Sequence, residues 1–211
     1  KGWFGVRKNS ILRNLFDMGM LEKSKKNRKD IYWMHSVIAS AVREQQKDVL
    51  YDRTRPFIEK LSLELDYGEQ WGQGYKKAYL IPFSWSVTDI MENKLESEDD
   101  VDFLTRLFYV CFECGSYKLC EELIERILKI DESKENIEYV YLVRDYKNQG
   151  DILLKMEKVN EALDVFEKAE HLLKDNEWDQ MERMSVWHKI GTAYHMKGDY
   201  QTAKNYYENI L

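Results

Sequence analysis

A chain of 211 residues, 44% of them hydrophobic, has room for one elongated domain or two small ones. Its net charge of −6 and pI near 5.4 remove the electrostatic reason to expect nucleic acid as a partner, since a phosphate backbone needs a clustered positive face. Only two prolines, Pro56 and Pro82, interrupt it, no stretch approaches the roughly 20 apolar residues of a membrane span, and no export signal opens it, so a mainly all-α, cytoplasmic protein without membrane contact is expected.

Beginning at Lys1 rather than Met, the chain reads as part of a longer protein. Ile11, Leu12, Leu15 and Phe16 mark an amphipathic helix ending near Gly19. Met20-Leu21-Glu22 and Ile31-Tyr32-Trp33-Met34 then read as two short strands, with the basic run Lys23 to Lys29 as the solvated tip of a β-hairpin. Val37, Ile38, Ala41 and Val42 share one stripe of a following helix. Helix, hairpin, helix is the layout that closes a winged helix, so residues 1–53 are predicted to be a partial winged-helix remnant.

Residues 54–100 are predicted to bridge. Thr54 is placed as a helix cap with Pro56 in the first turn and Phe57, Leu61 and Leu65 facing inward. A second helix spans Tyr75 to Leu95, bent or started at Pro82. The acidic Glu96-Ser97-Glu98-Asp99-Asp100 then sits at the N-terminal end of a helix from Val101, where its charge favours the dipole.

Residues 101–211 repeat. Aligning 101–128, 143–170 and 184–211 brings Cys120, Ala162 and Ala203 into register, 42 and then 41 residues apart. Tyr117, Val159 and Tyr200 stack in the same alignment, as do Ile124, Phe166 and Tyr207. Gly150, Gly191, Ala162 and Ala203 are small because two antiparallel helices must approach closely there, and Gly198 suits a left-handed helix end. The first copy departs with Phe108 at the glycine position, and the middle copy has Gln149 and Glu157 where an apolar residue and a glycine are expected.

The last copy, Trp187-x-x-Ile190-Gly191-x-x-Tyr194-x-x-x-Gly198-Asp199-Tyr200-x-x-Ala203-x-x-x-Tyr207, resembles the tetratricopeptide repeat. The period is that of the longer class found in kinesin light chains and signalling ATPases. The resemblance implies a right-handed superhelix of antiparallel helix hairpins that binds protein or peptide. Separately, Leu15-x-x-x-Gly19-Met20-Leu21 with Trp33-Met34-His35-Ser36-Val37-Ile38 is similar to the end of the winged helix in NB-ARC-type (STAND) signalling ATPases, which in bacteria often carry such repeats. The resemblance gives His35 the family's nucleotide-sensing role in a parent protein, although Ser36 replaces the family's aspartate. No phosphate loop of the G-x-x-x-x-G-K-[ST] type is present, so neither catalysis nor a cofactor is expected of this chain.

Cys111, Cys114 and Cys120 invite a metal or redox reading, yet two of them occupy core positions of the repeat and no partner set completes four ligands, so packing is the expected role. His188 and His195, seven apart, are too distant to share one ion. The concave wall, built from the first helix of each hairpin, is the candidate peptide-binding surface. It carries Asp102, Thr105, Tyr109 and Phe112 in copy one, Arg144, Lys147, Asp151 and Lys155 in copy two, and Ser185, His188, Thr192 and His195 in copy three. Basic residues in the middle predict an acidic or carboxyl-terminated peptide, with Tyr109 and Phe112 supplying apolar contact. The leading reading is the sensor arm of a bacterial signalling ATPase. A pheromone-peptide-responsive regulator and a self-associating assembly scaffold are the alternatives.

Overall fold

The computed structural model describes residues 13, 17, 21–26, 29–34, 49–66, 72–91, 94–174 and 179–210. It divides into two compact units, Lys1–Thr54 and Arg55–Leu211.

In the first unit, β1 (Leu21–Lys26) pairs antiparallel with β2 (Lys29–Met34), from Leu21 opposite Met34 to Lys26 opposite Lys29. Most of the basic run is therefore strand rather than tip, because pairing continues until two residues separate the strands. The helices that a winged helix needs on either side, and the predicted nucleotide-sensing His35, lie outside the described residues.

Helix α1 (Leu50–Leu65) starts four residues before the expected cap Thr54 and carries Pro56 in its interior. Pro56 forfeits the amide that would reach the Asp52 carbonyl. The buried stripe follows the i, i+3, i+4, i+7 spacing of Ile58, Leu61, Ser62 and Leu65, and Phe57 stands at its edge, 47% exposed instead of inward. A 3-10 segment (Gly74–Leu80) runs directly into α2 (Ile81–Met91), with Pro82 in the first turn of α2, at the junction where the helix type changes.

Three helix hairpins follow: α3 (Glu98–Glu113) with α4 (Tyr117–Glu132), α5 (Tyr139–Lys155) with α6 (Val159–Lys174), and α7 (Gln180–Lys197) with α8 (Tyr200–Glu208). Each helix packs on the next, and α5 also touches α7. Ser97 caps α3 in a capping box with Asp100, which places the acidic run at the positive end of the dipole. Cys120, Ala162 and Ala203 are all buried. A Cβ on Gly150 would stand 2.2 Å from Phe166 Cε1, and one on Gly191 2.6 Å from Tyr207 Cε1, so each glycine is the seat of an aromatic ring from its partner helix. In the first hairpin the sizes are exchanged: Phe108 occupies the glycine position and the smaller Ile124 the ring position, both buried.

The first helix of every hairpin ends in the same way. Ser116, Lys158 and Asp199 donate their amides back to Cys111, Leu153 and Tyr194, while Gly115, Glu157 and Gly198 donate to Phe112, Leu154 and His195. This double bond is the Schellman stop, and its inner residue is left-handed in all three, at φ 71° for Gly115, 62° for Glu157 and 86° for Gly198.

Candidate functional site

A cavity of about 310 Å³ opens on the face formed by the first helices of the three hairpins. Phe108, Tyr109 and Phe112 of α3 supply its apolar wall, Asn148 and Asp151 come from α5, and Lys189 comes from α7. Phe108 and Phe112 stack with centroids 6.1 Å apart, and Tyr109 meets Phe108 edge-on at 5.3 Å. Helical spacing puts these three rings on one side of α3. Asn148 Nδ2 donates to Tyr109 Oη at 3.3 Å, and Lys189 Nζ pairs with Asp151 Oδ2 at 2.6 Å. Polar contacts therefore stitch each first helix to the next across the cavity. Glu113, at its edge, holds the preceding turn by accepting the amides of Gly72 and Gly74 on its two carboxylate oxygens.

Three of the predicted wall residues, Tyr109, Phe112 and Asp151, meet in this cavity. Lys147 is turned to Glu182, with Nζ 2.6 Å from Oε2. Arg144 donates from Nε to Asp145 Oδ1 at 2.9 Å, lies 3.9 Å from Asp131 Oδ2, and covers the Tyr141 ring at 5.3 Å. The middle cations are thus matched by the protein's own carboxylates. Lys155 is exposed and out of register, since the residue aligned with Phe112 is the buried Leu154. In the third hairpin, His188 contacts the Tyr207 ring at 5.7 Å and His195 the Tyr200 ring at 5.2 Å. Thr192 donates its hydroxyl to the His188 carbonyl and accepts from Tyr207 Oη at 3.4 Å. Asn148 and Lys189 were missed by the repeat alignment. They share a register with each other, one position beyond Lys147 and His188, and a second stripe along each first helix would have found them.

Asp145 is fully buried behind this wall. Burial pushes its carboxyl up, Asp131 adds to the push, and the Arg144 guanidinium opposes it. Burial likewise raises the Cys111 and Cys120 thiols to about 12, which keeps them protonated and unreactive. Among the described residues no group of three His, Cys, Asp or Glu side chains is placed to hold a metal, and no helix is long and apolar enough to cross a membrane.

Residues 185–211 match the tetratricopeptide repeat family model. Among solved structures, the nearly identical TPR-like repeats of Podosopora anserina, described as kinesin light chain, align with a TM-score of 0.61 at 14% identity, over 82% of this chain and 82% of that one. A substituted form of the same protein aligns at 0.62 and 14% identity over the same shares. MamA aligns at 0.49 and 15% identity over 85% of this chain and 94% of its own. No curated protein matches the chain. The C-terminal part is therefore a tetratricopeptide-like helical repeat, a fold typical of non-catalytic scaffolds for protein–protein interaction.

Proposed function

We propose that this chain is a protein-binding scaffold whose first-helix face receives a segment of another protein. The observation that carries the reading is the cavity of about 310 Å³ lined by Tyr109, Phe112, Asn148, Asp151 and Lys189. It joins aromatic side chains, which supply contact area at low entropic cost, to an amide and a salt-bridged pair that can read a backbone. An apolar or aromatic residue of the partner fits between the rings, while Asn148 and Lys189 fix its direction. The wider context we infer is the sensor arm of a signalling ATPase, supported by the residues around Met34 and His35 and by the order of hairpin then repeats.

Random peptides displayed on phage and selected on the whole chain test the binding reading. Enriched clones are expected to lose at least tenfold in affinity for Tyr109→Ala and for Lys189→Ala, with unchanged helical circular dichroism. Enrichment no better than on a blank surface, or clones indifferent to both substitutions, would refute it. A phosphate loop encoded upstream of Lys1 in the parent reading frame is the outcome that supports the ATPase context, and its absence there removes that context.

A further inference from the structure

A second cavity, of about 360 Å³, lies between the start of α3, the 133–138 loop and the first turns of α5. Two donors in its lining, the Thr105 hydroxyl and Arg144 Nη2, make no hydrogen bond within the protein. Thr105 is only 8% exposed, and its Oγ1 is buried without a hydrogen-bond partner. Arg144 Nη2 is also buried without one: it is ion-paired with Asp145 Oδ1 at 2.8 Å but out of line for a hydrogen bond, Nε donates to that oxygen instead, and Asp145 Oδ2 is itself buried without a partner. A buried donor left unsatisfied works against folding, so a pair of such donors beside one cavity points to an oxygen acceptor from outside.

The surrounding charge decides what kind of acceptor. Glu98, Asp102, Asp131 and Glu138 line the cavity against two cations, Lys134 and Arg144. Asp102 is taken by Arg106 at 2.8 Å and Asp131 by Lys134 at 2.7 Å. Glu98 and Glu138 are exposed at the rim. An anionic group would satisfy the donors but enter a field of the wrong sign. A neutral carbonyl next to a cationic group satisfies both. A basic residue in an extended peptide carries that combination, its backbone carbonyl and its side-chain cation being close enough to span one cavity.

We propose that this cavity binds a lysine- or arginine-bearing segment of a partner protein, with a backbone carbonyl accepting from Thr105 and Arg144 and the basic side chain held between Glu98 and Glu138. It rests on the protein-binding reading above and names the chemistry of the segment. It also reverses the acidic peptide that the basic residues of the middle copy predict, because Arg144 and Lys147 already face carboxylates of their own.

The test is a ¹H–¹⁵N NMR titration of the whole labelled chain with the blocked tripeptides Ala-Arg-Ala and Ala-Glu-Ala at millimolar concentration. The arginyl peptide is expected to shift the amides of Thr105, Asn136, Tyr141 and Arg144 in a saturable way, and the glutamyl peptide to leave them in place. Thr105→Val removes the hydroxyl and keeps the shape. It should leave the melting temperature equal or higher, since an unsatisfied group is lost, while weakening the arginyl peptide several-fold. Glu98→Gln with Glu138→Gln, both at the surface, should weaken it about two- to fivefold and flatten its salt dependence. Equal shifts with the glutamyl peptide, an absence of shifts with both, or unchanged binding to Thr105→Val would overturn the proposal. Shifts confined to Tyr109, Phe112 and Asn148 would overturn it while leaving the protein-binding reading intact.

Discussion

Glu157 is the one residue of the three Schellman stops that pays for its conformation. At φ 62° its Cβ crowds the following carbonyl, a cost of about 1–2 kcal/mol that Gly115 and Gly198 escape at the same place in the other hairpins. Replacing it with glycine removes that cost but loosens the unfolded chain, which takes back about 0.4–1 kcal/mol. Glu157→Gly should therefore stabilise by roughly 0.5–1 kcal/mol, a rise of about 2–4 °C per kcal/mol in melting temperature for a domain of this size. The reverse change supplies the control. A Cβ added at Gly115 or Gly198 meets nothing within 4 Å, so Gly115→Ala and Gly198→Ala report the backbone term with no steric component, and each should destabilise by about 1 kcal/mol. Urea denaturation of the four proteins at one pH decides the matter. A lowered midpoint for Glu157→Gly, or alanine variants that unfold with the parent, would refute the argument that this helix end is conformationally strained.

Gly150→Ala should destabilise by about 1–3 kcal/mol, since the buried Phe166 ring must move, and more than Gly191→Ala, whose half-buried Tyr207 can yield. Adding Phe166→Leu should recover part of the Gly150→Ala loss, and a double-mutant cycle from urea midpoints measures that coupling. Because burial raises the Asp145 carboxyl, to about 7, the folded state holds that proton more tightly than the unfolded chain. Stability from this group is complete below the unfolded value near 3.9 and declines as pH rises through the folded one. Chemical denaturation at several pH values should show that decline in the parent and lose it in Asp145→Asn. Ser97→Ala removes the α3 capping box and should cost about 1 kcal/mol in the same assay.

The helical half was legible because its code is a size relation inside one hairpin. Gly150 with Phe166 and Gly191 with Tyr207 recur at one spacing, and the structure seats each ring on its glycine. The first copy departs from the pattern only when Phe108 is taken without its partner: Phe108 and Ile124 exchange large and small across the same gap, so the space is still filled. The bridging segment was less legible. Thr54 and Pro56 are good local start signals, but the helix begins at Leu50 and runs through Pro56 at the expense of one amide, with Ile58, Leu61 and Leu65 covered.

The site was legible in composition and not in pairing. Alignment of repeats finds equivalent residues, 41 or 42 apart, whereas the side chains that touch across neighbouring first helices are nearer in sequence: Tyr109 with Asn148, Asp151 with Lys189, Lys147 with Glu182. A count of charges along the equivalent positions therefore assigns Arg144 and Lys147 to a ligand, when each has a carboxylate within reach on a different register. Once those pairs are drawn, the chemistry left over at the second cavity is the Thr105 hydroxyl and one nitrogen of the ion-paired Arg144, Nη2, beneath the carboxylates of Glu98 and Glu138. Burying a donor without a partner works against folding, so its retention beneath an acidic rim is evidence about what comes to meet it rather than about what holds the helices together.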